Sequence, residues 1–184
     1  MSLDTLGLVE SRTIAGGVLM ADQMVKAADV TLLKAATICA GRYFIQVSGD
    51  RAAVETAVAA AESSEKPPLG SFVISRVHPE LLQGIGKSRE IPAGDAIGVV
   101  ECRIAVAGLV AADQALKKAS VQLVRMVIGQ GISGKSYFIL SGEVAEVEEA
   151  VLAASQNLGK NLIETVVLPA PDKAIVAALI NRLK

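Results

Sequence analysis

The sequence has no tryptophan, only five other aromatic residues and a single histidine among its 184 residues. So few aromatic rings leave little platform for stacking nucleic-acid bases. One histidine removes most histidine-based metal and catalytic sites from consideration. Positive charge is not concentrated either, because the net charge is −1 and no basic block occurs. These absences argue against a nucleic-acid partner.

Long hydrophobic runs and paired cysteines are missing as well. Although 52% of the residues are hydrophobic, glycine, aspartate or lysine interrupts each apolar run well before about 18 residues, so no membrane-spanning helix is predicted. The opening MSLDTLGLVE is acidic and enters a strand pattern, unlike a signal peptide. The two cysteines, Cys39 and Cys102, form no CxxC pair. We therefore expect a cytoplasmic protein with no membrane partner.

The most informative feature that is present is an internal duplication. With a shift of 91 residues, segment 7–34 aligns with segment 98–125 and gives 12 identities in 28 positions. Chance would give about two. From Gly41 onward the shift is 93, so the second copy has two extra residues in the segment that ends at Gly134. The duplication therefore predicts two related domains, 1–90 and 95–184, with a linker at 87–94.

Both copies predict the same order of elements, β-α-β-β-α-β, which is the ferredoxin-like arrangement of an α+β fold. In the first copy we predict strands at 5–10, 30–38, 43–48 and 71–77 and helices at 15–28 and 52–62. In the second copy we predict strands at 96–101, 121–128, 137–141 and 162–168 and helices at 106–119 and 144–157. Fused copies can cover each other's exposed elements in a closed ring, and a trimer with six lobes is the natural one. Dimers and open chains satisfy the duplication equally well.

Two segments carry a resemblance to a known family. LGLVESRTIAGGVLMADQMVKAADVTLL and IGVVECRIAVAGLVAADQALKKASVQLVR both resemble the opening of bacterial microcompartment shell domains. The later Ser-Gly-Asp/Glu steps and the strands that end at a proline extend the match over nearly the whole chain. Two fused copies resemble the tandem-domain shell proteins that form trimers. TICAGR at 37–42 and GQGISGK at 129–135 resemble the PduT type within that family.

The resemblance implies a non-enzymatic structural protein of the microcompartment shell. It implies a homotrimer that mimics a hexagonal tile and meets other shell proteins at its edges. The hairpin loops of such tiles line a central pore, and the two-residue insertion falls in this loop. The pore residues implied here are Ile38, Ala40, Gly41, Gly129, Gln130, Gly131, Ile132, Ser133 and Gly134.

Cys39 acquires a specific role from the same resemblance. One thiolate per chain cannot hold an iron–sulfur cluster, which takes several cysteine ligands. Three copies of Cys39 around a threefold axis would supply three thiolates to one [4Fe–4S] cluster per trimer. The resemblance to PduT-type proteins implies this arrangement. It also implies electron transfer across the shell and a redox enzyme of the compartment as a partner. The alternatives are a thiol without metal and a metal-free pore that passes small metabolites.

The remaining candidates have plainer interpretations. Cys102 aligns with Ser11 and has no partner in the duplication, so we interpret it as a small core residue. Glu10 and Glu101 occupy equivalent positions on the first strands and are expected to form hydrogen bonds at domain interfaces. The family implies tile-edge contacts for Lys26, Lys117, Arg76 and His78. An enzyme or sensor lacks support, because there is no nucleophile–base pair and no phosphate-binding glycine motif.

Overall fold

The structure, a computed structural model, describes residues 5–84 and 95–180. It divides into two compact units that do not coincide with the two halves of the sequence. Unit 1 contains residues up to Val77 together with two segments of the second repeat, Ile104–Ala107 and Gly129–Lys135. Unit 2 contains the remaining residues from His78 onward. The predicted linker at 87–94 lies outside the described residues.

The first repeat builds a four-stranded antiparallel sheet with two helices. Its elements are β1 (Thr5–Ser11), α1 (Ile14–Ala27), β2 (Thr31–Ile38), β3 (Arg42–Ser48), α2 (Arg51–Glu62) and β4 (Gly70–Ser75). The strand order is β2-β3-β1-β4, so β1 and β3 are central and β2 and β4 are the edges. This is the order of a ferredoxin-like sheet, as the sequence predicted.

The second repeat has the same topology with additional short helices around it. Its elements are α3 (Pro79–Gly84), β5 (Ala96–Cys102), α4 (Ala105–Lys118), β6 (Gln122–Ile128), β7 (Ser136–Gly142), α5 (Val144–Leu158), β8 (Leu162–Leu168) and α6 (Lys173–Ile180), and a 3-10 turn occupies Gly159–Asn161. The strand order is β6-β7-β5-β8. Helices α3 and α6 were not predicted from the sequence.

Local sequence accounts for the start of α1 and for its close packing. Thr13 is the N-cap, and its hydroxyl oxygen accepts a hydrogen bond from the amide of Gly16 at 3.2 Å. Gly17 allows α1 to approach β3, because a Cβ at this position would lie 2.3 Å from the Cβ of Tyr43. Gly7 plays the same role under α2, where a Cβ would lie within 3 Å of Val47 and of two helix side chains. Glycines therefore set the spacing between the helices and the sheet.

The helix-covered face of the first sheet forms a hydrophobic core. Its buried members come from β1, β3, α1 and α2, and they include Val9, Met24, Ile45 and Val54, all with no exposed surface. In the part of the chain that the structure describes, no helix is long and apolar enough to cross a membrane. The β2–β3 hairpin turn lies at one end of this packed sheet.

Candidate functional site: the turn that carries Cys39

Cys39 lies in the tight turn between β2 and β3. We call residues 39–41 the Cys39 turn. Ala40 and Gly41 both adopt left-handed backbone conformations, with φ of 65° and 67°. Gly41 reaches that conformation without a steric penalty, and Ala40 is small. The thiol is partly exposed, and both following residues are exposed. The turn therefore presents a sulfur atom with little side-chain bulk around it.

A second loop in unit 1 lies directly against this turn. We call Gly129–Lys135 the glycine loop, and it belongs to unit 1 although it follows β6 in the chain. The amide of Cys39 donates to the carbonyl of Gly129 at 3.1 Å. The amide of Gly131 donates to Cys39 Sγ at 3.1 Å. The Gln130 side chain also donates to the carbonyl of Thr37, again at 3.1 Å. The structure thus brings together the two loops to which the family resemblance assigns a pore.

The glycines of the glycine loop are required by its backbone. Gly129, Gly131 and Gly134 have φ between 68° and 77°, and Ser133 has φ of 55°. Gly129 also lies so close to Ile38 that a Cβ would come within 2.7 Å of the isoleucine Cβ. Only glycine combines the left-handed conformation with this close approach. The buried Ile38 side chain therefore packs against the glycine loop.

A buried ion pair lies behind the two loops. Arg42 Nη1 donates to Glu10 Oε1 at 2.9 Å, and Glu10 is fully buried. Glu10 Oε2 accepts a hydrogen bond from the amide of Val106 at 3.2 Å. Arg42 Nη1 also donates to the carbonyl of Gly134 at 3.1 Å. Burial raises the pKa of Glu10 above 4.5, and the Val106 amide and the Arg42 guanidinium offset part of that rise.

The expectation for Glu10 is confirmed in its general form, since the carboxylate forms hydrogen bonds at the start of α4. Its equivalent in the second repeat, Glu101, is partly buried. The sequence analysis did not single out Arg42. A signal existed, because Arg42 ends the TICAGR segment and a basic residue, Lys135, ends the equivalent GQGISGK segment.

One chain alone does not supply a cluster site. Within residues 5–84 and 95–180, no group of three or more histidine, cysteine, aspartate or glutamate side chains could hold a metal ion. The surroundings of Cys39 nevertheless fit one thiolate ligand, since the sulfur is accessible and already accepts an amide hydrogen bond. Amide donors to sulfur are a usual feature of iron–sulfur sites. A complete ligand set would require several chains.

Cys102 has the environment of a core residue, as the sequence predicted. It has no exposed surface. Burial raises the pKa of its thiol to about 12; the hydrogen bond with Ser136 opposes this rise, and the charge on Glu101 adds to it. A side chain on Gly108 would approach both Cys102 and Ser136. This thiol is therefore chemically inert under ordinary conditions.

The predicted tile-edge residues occupy different environments. Lys26 is exposed and pairs with Asp22 at 2.7 Å. Lys117 pairs with Asp113, which is fully buried. The His78 amide donates to the same Asp113 at 2.8 Å, and Arg76 is exposed with a left-handed φ of 51°. The structure therefore brings His78 and Lys117 to one carboxylate.

Comparisons with known proteins agree with this architecture. The BMC domain family matches the chain twice, at residues 5–77 and 96–171. The chain is 35% identical over 173 residues to the bacterial microcompartment shell protein PduT of Citrobacter freundii, which covers 92% of this chain and 94% of that protein. It is also 41% identical over 70 residues to the carboxysome shell protein CcmK2 of Thermosynechococcus vestitus, which covers 38% of this chain and 69% of that protein.

Solved structures show the same relationship. The crystal structure of a microcompartments protein from Desulfitobacterium hafniense aligns with a TM-score of 0.78 and 37% identity, over 95% of this chain and 98% of that one. A fused permuted hexameric shell protein of the RMM microcompartment aligns with a TM-score of 0.62 and 22% identity, over 85% of this chain and 84% of that one, which supports the fold alone. The chain therefore belongs to the BMC domain family and is a tandem-domain shell protein of bacterial microcompartments, similar to PduT.

Proposed function

We propose that three chains join head to tail into a pseudohexameric shell tile, and that their three Cys39 thiols hold one [4Fe–4S] cluster at the threefold axis. The cluster would carry electrons across the shell to or from a redox enzyme of the compartment. The single observation that carries the assembly is the way in which the second repeat completes unit 1.

Unit 1 contains two segments that the second repeat supplies, Ile104–Ala107 and Gly129–Lys135. Val106 caps the buried Glu10 carboxylate, and the glycine loop contacts the Cys39 turn. The equivalent segments of the first repeat are residues 13–16 and 38–42, and neither belongs to unit 2. Unit 2 therefore contains no segments of the first repeat equivalent to those that the second repeat gives to unit 1. A second copy of the chain can supply them, which is head-to-tail association.

Helix α1 has the exposed apolar face that this association needs. Three side chains on one face of α1 are between 39% and 52% exposed: Ile14, Val18 and Val25. Their counterparts on α4 are at most 5% exposed: Ala105, Leu109 and Leu116. Burying one such side chain contributes roughly 1.5–3 kcal/mol. Equivalent helices of one chain thus differ in burial, and contact with a second copy would remove the difference.

Head-to-tail contacts either close into a ring or continue as a filament. Three chains give six domains, which is the number that a hexagonal tile needs. In such a ring each Cys39 turn would alternate with a glycine loop about the axis. Three cysteine sulfurs would then face one another, although one chain contributes only one.

The chain's own residues would serve the cluster in separate ways. Cys39 Sγ would be the ligand, and the Gly131 amide would keep its hydrogen bond to that sulfur. Ala40 and Gly41 leave the turn free of bulk, so the sulfur is reachable from solvent. A bound [4Fe–4S] cluster would supply one-electron transfer. Because three cysteines are fewer than four, one iron would remain for another ligand.

Contacts with other shell proteins would use the tile edge. Lys26 supports this proposal, because its side chain is 73% exposed and the ion pair with Asp22 is weak at such exposure. The ion pair of Lys117 with a buried carboxylate is a stronger constraint on that side chain. The two domains would therefore present different lysine geometries to neighbouring tiles.

The decisive experiment measures mass and metal on the same samples. Light scattering of the purified chain is expected to give three chains of 19.0 kDa, about 57 kDa. Anaerobic reconstitution with iron and sulfide is expected to give about four iron atoms per three chains and the broad visible absorption of a cluster. The Cys39→Ser variant should remain trimeric and bind no cluster.

The other outcomes contradict the proposal at different points. Monomers or dimers would overturn the ring and with it the cluster. Trimers that bind no iron, or a Cys39→Ser variant that binds as much iron and sulfide as the wild type, would overturn the cluster alone. A metal-free trimer would leave the tile as a pore for small metabolites.

A further inference from the structure

The Gly131 hydrogen bond to Cys39 depends on a loop with little intrinsic preference for its conformation. Four residues of the glycine loop have positive φ: Gly129, Gly131, Ser133 and Gly134. Three of these are glycines, which lose the most conformational freedom on ordering. Both Gln130 and Gly131 are exposed, so packing does not hold them. Directed polar contacts are needed to keep the Gly131 amide aimed at the sulfur, and the Gln130 side chain supplies one by donating to the carbonyl of Thr37 at 3.1 Å.

Arg42 provides a second polar contact to the loop, and its own position is held by a buried carboxylate. Its guanidinium is anchored to Glu10, which has no exposed surface and lies near the end of the central strand β1. From there Nη1 reaches the carbonyl of Gly134 at 3.1 Å. A guanidinium can bind a carboxylate and a carbonyl together because its donors are fixed in one plane. The buried carboxylate thus orients the arginine, and the arginine holds the far end of the glycine loop.

The near end of the loop is held as well. The Cys39 amide donates to the carbonyl of Gly129, and the amide of Gly129 donates to the carbonyl of Lys135 at 2.8 Å. The loop is therefore closed upon itself and tied at both sides of Gly131. Gly134 lies so close to the turn that a Cβ there would be 3.0 Å from the carbonyl oxygen of Cys39. The amide of Lys135 also donates to the carbonyl of Ile132 at 3.1 Å, so a shift of Gly134 would be passed on to the residue that follows Gly131.

We propose that Arg42, oriented by Glu10, is a positioning residue that holds the Gly131 amide on the sulfur of Cys39. The positioning stands on contacts within the chain, and its effect on a cluster rests on the proposed function. Amide donors stabilise the extra negative charge on thiolate ligands after reduction, so they raise the reduction potential of a cluster. Each of three chains would contribute one such donor. Loss of Arg42 would therefore weaken three amide hydrogen bonds to the same cluster and lower its reduction potential.

The test compares Arg42→Gln with Arg51→Gln. Arg51 is exposed on α2 and pairs with Glu55 one helical turn later, so its substitution matches the loss of charge without touching the loops. Backbone hydrogen exchange at Gly131 is measured in protein without iron, and the midpoint potential is measured after reconstitution. Arg42→Gln is expected to speed Gly131 exchange at least about tenfold, the factor expected for one charge-assisted hydrogen bond. It is also expected to make the potential more negative.

Each result decides a separate question. If Gly131 exchange and the potential are the same in Arg42→Gln as in Arg51→Gln, Arg42 does not position the amide and the proposal is wrong. If the wild type assembles no cluster, the proposed function fails while hydrogen exchange still decides the role of Arg42. If Arg42→Gln does not fold because Glu10 is left unpaired, the double variant Glu10→Gln/Arg42→Gln removes both charges and carries the same two expectations.

Discussion

At the scale of single residues, the two cysteines show how position in one fold determines chemistry. Cys39 follows an edge strand, lies in an exposed turn and meets a backbone amide. Cys102 ends a central strand and meets the Ser136 side chain in the core of its unit. A thiol reacts as its thiolate, and forming a thiolate in an apolar interior is costly. The same side chain is therefore a candidate ligand at one site and a packing residue at the other.

This contrast predicts selective labelling. In metal-free native protein at pH 8, iodoacetamide is expected to modify Cys39 and to leave Cys102 unmodified. With a pKa of about 12, only about one Cys102 thiol in ten thousand is ionised at that pH, and the side chain is also inaccessible. Peptide mapping by mass spectrometry measures each site, and unfolding in urea should expose both. Labelling of Cys102 in the native state at a rate similar to that of Cys39 would contradict the assigned burial.

The sequence predicted the different environments of the two cysteines but not the residues that contact the Cys39 site. Cys102 could be placed in the core because it lies in an apolar strand and aligns with a serine in the other repeat. The Glu10 position was visible because the duplication repeats it. Its partner Val106 lies 96 positions away, and Gly131 lies 92 positions from Cys39. Such pairs depend on how the repeats meet, which no local pattern encodes.

At the scale of elements, helix α3 shows what a periodic pattern does not detect. The strands and long helices were predicted within one or two residues at most ends, because each shows a period of two or about 3.6 over enough positions. Helix α3 has six residues, too few to display a helical period. It is nevertheless integral to unit 2, because Glu80 accepts a hydrogen bond from the Leu123 amide on the edge strand β6 at 2.8 Å. Gly84 also packs closely on the Leu123 side chain.

Two adjacent leucines of α3 provide a matched test. Leu81 has no exposed surface, whereas Leu82 is 37% exposed. Leu81→Ala is expected to lower the free energy of unfolding by about 2–5 kcal/mol, because it removes buried methyl groups and leaves a cavity. Leu82→Ala makes the same chemical change with less lost burial and should cost less than about 1 kcal/mol. Urea unfolding followed by circular dichroism measures both, and equal losses would show that α3 does not pack as described.

At the scale of the whole molecule, the two repeats of one chain do not contribute equally to each other's units. Each repeat folds as its own sheet and helices, yet unit 1 takes in two segments of the second repeat. Equivalent surfaces of the two repeats consequently differ in exposure within one chain. The duplication was evident from the sequence. The sequence did not show that the second repeat would give segments to unit 1 while the first repeat gives none to unit 2. That difference depends on which side chains become buried, and the hydrophobic period is the same in both copies.

Helix α1 therefore offers the sharpest test of head-to-tail association. Val18 is 52% exposed and its counterpart Leu109 is 1% exposed, so Val18→Glu would place a charge on the face that a second copy should cover. A buried unpaired carboxylate is strongly unfavourable at an interface. The variant is expected to fold and to elute as a 19.0 kDa monomer. Ala59→Glu adds the same charge on the exposed side of α2 and should remain trimeric. Light scattering measures both masses. If Val18→Glu remains trimeric with unchanged stability, α1 lies outside the interface, and the route by which three Cys39 thiols would meet must be different.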